Sequence, residues 1–150
     1  MAQAQLEPLI LESFASLYSV LAEYDLNNIY LKGKRTKIKD SNFTKLVNAI
    51  APSISRDEVL VLRDSTMSGS DEGMIITGQK LFFRNSKERG EIDLRNIRSI
   101  YTKRAFFGNS VDITDKSGKV WHLGAVVSLK DALEALDKGF NNLIAGVNAL

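Results

Sequence analysis

His122 is the single histidine of a chain of 150 residues that contains no cysteine. An imidazole titrates near neutral pH and so suits general acid or base work. In the extended run Val120-Trp121-His122-Leu123, His122 points away from Trp121 and Leu123. With those two facing a core, His122 faces solvent, and no Ser-His or Cys-His pattern accompanies it. It reads as an ordinary sheet-face histidine. Asp64 to Glu72 mixes carboxylates, hydroxyls and glycine as calcium loops do, yet lacks their one-three-five ligand spacing and terminal Glu. It reads as a plain loop. Two basic stretches say more. Lys32, Lys34, Arg35, Lys37 and Lys39 crowd five bases into eight positions, which suits phosphate on an acidic membrane or on nucleic acid. The competing reading is a solvated linker between two helices, paired with the acidic first helix. If that stretch is extended, Lys37 and Lys39 share a face with Ile38 opposite. Lys103 and Arg104 stand beside Phe106 and Phe107, a pairing suited to a protein groove or a membrane surface when exposed.

Composition narrows the classes. Hydrophobic residues make up 44% of the chain, enough for the core of one ordinary domain and too many for a disordered tail. Without cysteine there is no disulfide, thiol nucleophile or thiolate metal site. One histidine cannot build a multi-histidine metal centre. No convergent set of nucleophile, base or metal ligands is visible, so the expectation is a non-enzyme with no cofactor, metal or small-molecule substrate. The net charge of +2 hides blocks: residues 1–31 carry −4, 32–63 carry +5, 64–79 carry −3, 80–104 carry +5 and 105–150 carry −1. The acidic start and the lack of a long apolar run argue against a signal peptide, a transit peptide or a membrane span, and point to the cytoplasm.

The elements that must position these groups follow from hydrophobic period. Residues 5–24 read as an amphipathic helix with the stripe Leu6, Ile10, Phe14, Leu17 and Leu21, and with Pro8 in its first turn. Residues 41–50 read as a shorter helix ended by Ala51-Pro52. Beyond Pro52 the pattern becomes strand-like. Seven short strands are expected, among them Glu58 to Arg63, Met74 to Thr77, Leu81 to Phe83 and Ala105 to Phe107. Turn residues at Gly78-Gln79, Gly108-Asn109 and Asp115 to Gly118 punctuate them. A final helix, capped at Ser128, carries Leu129, Leu133, Leu136, Phe140, Leu143, Ile144 and Val147.

Seven antiparallel strands closed by one amphipathic helix resemble the pleckstrin-homology superfold, in its PH, GRAM and bacterial PH-like forms. Gly69 to Phe83 looks like the second and third strands of bacterial PH-like and GRAM domains, and Glu91 to Ile100 resembles the next unit. The resemblance covers about residues 55–147. It implies an α+β, mostly β, seven-stranded antiparallel barrel with a C-terminal capping helix, here preceded by two N-terminal helices. The division expected is a helical extension with a basic linker over 1–54 and a PH-like domain over 55–150. PH domains that grip phosphoinositides usually carry Lys and Arg around the loop between strands one and two. In this chain Asp64 to Glu72 holds three acids and no base, so selective inositol-phosphate binding is not expected there.

The functional expectation is a non-catalytic interaction or scaffolding module that binds a protein partner and self-associates as a homo-oligomer. Leu6, Ile10, Phe14, Leu17 and Leu21 are the expected oligomer face, because they lie outside the elements that complete the superfold. The alternative is a phosphate-surface binder using segments 32–39 and 95–104, on an anionic lipid surface or, less favoured, on nucleic acid.

Overall fold

The computed structural model describes residues 2–24, 26–66, 71–105, 109–124 and 126–150. Among these residues it has an α+β architecture of four α-helices and two antiparallel sheets. Helices α1 (Ala2–Ser13) and α2 (Ala15–Tyr24) lead to the short strand β1 (Ile29–Leu31) and to α3 (Asp40–Ile50). Strands β2 (Val61–Asp64), β3 (Gly73–Ile76), β4 (Lys80–Arg84) and β5 (Arg89–Asp93) continue from β1 as a five-stranded meander. Strands β6 (Ile97–Lys103), β7 (Ser110–Asp115) and β8 (Val120–His122) form a separate three-stranded meander, and α4 (Lys130–Asn148) closes the chain. Among the described residues the expected closed seven-stranded barrel is thus replaced by eight strands in sheets of five and three. Strand β1 was not among the expected strands; it pairs in the register Ile29↔Arg63, Tyr30↔Leu62, Leu31↔Val61. Ala105 lies outside any strand, and Phe106 and Phe107 lie outside the described residues.

Burial explains why the runs of β2, β3 and β4 are continuously apolar rather than alternating. One face of the five-stranded sheet gives Val61, Met74, Ile76, Leu81, Phe83 and Ile92 to the main core. The opposite face gives Leu62, Ile75 and Phe82 to a second core under α3, with Phe43, Leu46, Val47 and Ile50. A sheet covered on both faces selects apolar residues at every position. Phe43 also meets Tyr30 edge-to-face at 5.0 Å and carries the Arg56 guanidinium over its ring at 4.3 Å. The three-stranded sheet keeps one face wet, so β7 alternates, with Val111, Ile113 and Asp115 inward.

The segment before residue 55 is built into this fold rather than appended to it. The expected helix over 5–24 is two helical segments meeting at Phe14, with Pro8 inside α1 rather than in its first turn. Phe14 still donates to the Ile10 carbonyl (3.1 Å) and accepts from Tyr18 N–H (3.0 Å). Leu6, Ile10, Phe14, Leu17 and Leu21 are 0–3% exposed and pack in the main core with Phe140, Leu143 and Val147 of α4. Phe14 meets Phe140 edge-to-face at 5.1 Å. Side chains this buried leave no surface for a second chain, so the oligomer face expected from the stripe is corrected to an intramolecular one. Gly139 allows the close approach: a Cβ there would lie 2.8 Å from the Ser13 carbonyl oxygen. Nearby, the Asn142 side chain donates to the Ser13 hydroxyl at 2.8 Å.

Trp121 holds the seam between the sheets. It is half-buried, meets Phe83 edge-to-face at 6.2 Å, and lies so near β5 that a Cβ on Gly90 would come within 2.9 Å of it. Its indole N–H donates to Asp115 at 3.1 Å. The same carboxylate accepts from the Ser117 hydroxyl and from the Ser117 and Lys119 amides, fixing the β7–β8 turn. Helix α4 begins after Leu129 without a side-chain cap, where Ser128 had been the expected cap.

Candidate functional site

The basic loop follows β1 and doubles back beside it. Lys34 N–H donates to the Leu31 carbonyl (2.9 Å) and Lys37 N–H to the Leu26 carbonyl (3.0 Å). The Thr36 hydroxyl reaches the Leu26 and Ile29 carbonyls at 3.2 and 2.7 Å, and the Tyr18 hydroxyl donates to the Arg35 carbonyl. Ile38 is buried against α3, which turns Lys37 and Lys39 outward. Lys32 pairs with Glu7 of α1 at 3.2 Å. Lys34, Arg35, Lys37 and Lys39 are exposed and, among the described residues, make no side-chain hydrogen bond or ion pair. A pinned backbone carrying unpaired cations loses little conformational freedom on meeting an anionic surface. The same loop shields the edge strand β1, a position where lysines discourage strand pairing.

The second basic segment does not join the first. Arg95 precedes β6 and Lys103 ends it, so they lie about 20 Å apart at the rise of a strand. No hydrogen bond or ion pair among the described residues links segment 95–104 to 32–39. Lys103 and Arg104 are exposed, as is Tyr101.

A cleft of about 580 Å³ opens where the β2–β3 connection, the β4–β5 turn and the end of β8 meet. It is lined by Ser65, Glu72, residues 84–88 and residues 122–124. Asn85 organises it. Its side-chain oxygen accepts from the Lys87 and Glu88 amides at 2.8 and 2.9 Å, and its amide donates to the His122 carbonyl at 2.6 Å. Asn85 N–H bonds the Glu88 carbonyl at 2.9 Å, which makes Arg84 and Arg89, the next pair out, a close non-hydrogen-bonded pair. Like charges directly opposite on paired strands are destabilising. Neither arginine has an acidic partner among the described residues, and Lys87 is likewise unpaired. These three bases escape a reading by charge blocks alone; the signal was an Asn-Ser turn flanked by bases between Phe83 and Ile92.

His122 faces solvent as its alternation with Leu123 predicts, with Leu123 buried. Its Nδ1 lies 2.7 Å from Asp112 Oδ1, in the register Tyr101↔Asp112↔His122 across the sheet. That cross-strand carboxylate was invisible without the register. Among the described residues, no hydroxyl is hydrogen-bonded to the ring.

The acids of the β2–β3 connection are engaged locally. Asp64 is buried, accepts from Thr66 N–H at 3.0 Å and meets Asn42 at 3.4 Å, while Asp71 pairs with Lys45 at 3.5 Å. Among the described residues, no three His, Asp or Glu side chains are grouped to hold a metal, and no helix is long and apolar enough to cross a membrane. Comparison of the chain with family models, curated proteins and solved structures finds no match.

Proposed function

We propose that the chain is a non-catalytic binding module on a PH-like plan that docks on a phosphate-bearing surface, an anionic membrane first among them. The observation that carries this reading is the hydrogen-bonded loop 32–39, with Lys34, Arg35, Lys37 and Lys39 exposed and unpaired among the described residues. The PH-like plan draws support from the order of the elements, a strand meander, a second three-stranded meander and a closing helix. Strand β1 and helix α3 would then be additions to it. A basic residue near an anionic bilayer contributes up to about 1 kcal/mol, and the attraction weakens as salt shortens the Debye length.

Sedimentation with phosphatidylserine-containing vesicles at low and high salt tests the reading. Wild type should co-sediment at low salt, lose binding at high salt, and lose it at low salt when Lys34, Arg35 and Lys37 are changed to Ala. Salt-resistant binding untouched by the triple change would overturn it. Self-association through the N-terminal stripe has lost its motive, because that stripe is consumed by α4.

A further inference from the structure

We propose that the free edge of β5 pairs antiparallel with β5 of a second copy of this chain, about a two-fold axis at Gly90. The ladder shows which groups are free. Asn85 N–H bonds the Glu88 carbonyl and Leu94 N–H bonds the Gln79 carbonyl, each at 2.9 Å. Between those ends Arg84↔Arg89 and Phe82↔Glu91 are non-hydrogen-bonded pairs. The N–H and C=O groups of Arg89 and Glu91 therefore point away from β4, and β5 is the last strand of its sheet. Among the described residues these outward groups have no hydrogen-bond partner. The sheet's other edge is covered: Lys34 N–H and the Thr36 hydroxyl donate to the Leu31 and Ile29 carbonyls of β1. Beside β5 the space is open, a groove of about 420 Å³ bounded by Ile50 and Pro52 at the end of α3 and by Trp121.

Charge names the occupant. Alternate positions through β5 read Lys87, Arg89, Glu91 and Asp93, bases before Gly90 and acids after it. Antiparallel self-pairing centred on Gly90 sets each Arg89 opposite Glu91 of the other copy, on one face of the joined sheet. Lys87 and Asp93 continue that complementarity outward. The same register lets the outward backbone groups of Arg89 and Glu91 bond one another across the axis. Arg89 faces Arg84 within its own chain and meets no acid there among the described residues. Glu91 gives only Oε2 to Lys80, at 2.7 Å, so Oε1 is left for an arginine from outside. A slip of two residues would bring Arg89 against Arg89 or Glu91 against Glu91, and like charges so placed are destabilising. Charge thus selects one register. Gly90 at the axis has no side chain to hold the strands apart, and Trp121 lies against it. This edge is on the far side of the sheet from β1 and loop 32–39, so it is independent of the membrane reading.

Light scattering over a concentration series tests the joint, with hydrogen exchange read at single amides. Wild type should reach twice the chain mass, and the amides of Arg89 and Glu91 should gain protection as concentration rises. Arg89→Glu and Glu91→Arg, both at exposed positions, should each weaken the dimer about tenfold or more. Mixed in equal amounts, these two variants should recover it, because every cross-strand pair is then of opposite charge. The double variant Arg89→Glu with Glu91→Arg should dimerise as wild type does, which separates lost pairing from misfolding. The Lys34, Arg35 and Lys37 triple-alanine variant should also dimerise normally. Wild type of single-chain mass at millimolar concentration would overturn the joint. So would a dimer insensitive to both single reversals, or a mixture that fails to recover.

Discussion

Asn85 donates its side-chain amide to the backbone carbonyl of His122 at 2.6 Å, tying the tip of the β4–β5 hairpin to the last strand of the other sheet. One side chain thereby couples the two sheets at the mouth of the cleft. Its oxygen serves the hairpin and its nitrogen serves the seam.

Asn85→Ala should cost about 0.5–1.5 kcal/mol, since it removes solvent-exposed hydrogen bonds to two turn amides and one carbonyl that water can replace. Urea denaturation measures the loss. The amide signals of residues 86–88 and 122–124 should move together, and movement of the hairpin alone would count against the coupling.

Leu17 is fully buried in α2, within the main core that α4 also lines. Leu17→Ala should cost about 2–5 kcal/mol. Leu17→Glu should abolish folding rather than dissociate an oligomer. Light scattering with circular dichroism decides: a folded Leu17→Glu protein of lower mass than wild type would show that the stripe joins two chains.

Asp115 sets an acid limit on stability. The Ser117 hydroxyl first, then the Trp121 indole and the Lys119 and Ser117 amides, hold its pKa down from 3.8 to about 2 against the opposing effect of burial. The folded value lies below the unfolded one, so the stabilisation is complete above pH about 4 and disappears as pH falls through about 2. Urea midpoints should fall across that window. Asp115→Asn should be less stable at neutral pH and show a shallower acid slope.

Gly139→Ala should destabilise by about 1–3 kcal/mol, because the added Cβ meets the Ser13 backbone oxygen and a backbone cannot rotate aside. For a chain of this size that is a fall in Tm of roughly 2–4 °C per kcal/mol. An unchanged Tm would mean that α1 and α4 shift apart at no cost.

What the sequence made legible follows from distance along the chain. The stripes of residues 41–50 and 129–147 and the runs of β2 to β4 declare themselves by period, since their signal is local. Ile29 to Leu31 is too short to show a period; it becomes a strand because β2 supplies the partner. The apolar runs through Leu62, Ile75 and Phe82 were legible as strands, but that α3 covers their second face emerges only in three dimensions. The N-terminal stripe was visible and its partner was not, for Phe14 and Phe140 meet from opposite ends of the chain. Register hid the rest: Asp112 beside His122 and Arg84 opposite Arg89 depend on which residues of paired strands face each other.

The Ser13–Asn142 hydrogen bond spans 129 positions, and it bears on how the molecule is made. During synthesis α1 and α2 emerge well before α4, with a greasy stripe and nothing to receive it. The meanders, whose strands are sequence neighbours, can assemble earlier, whereas the helical clasp must wait until the last turns have left the ribosome. Until then the stripe from Leu6 to Leu21 stays open to chaperones and proteases. By the same geometry α1 and the end of α4 lie side by side, where Leu9 packs at Gly146. A short linker there, with new ends opened at the Ser117–Gly118 turn, would yield a permuted chain whose clasp forms early.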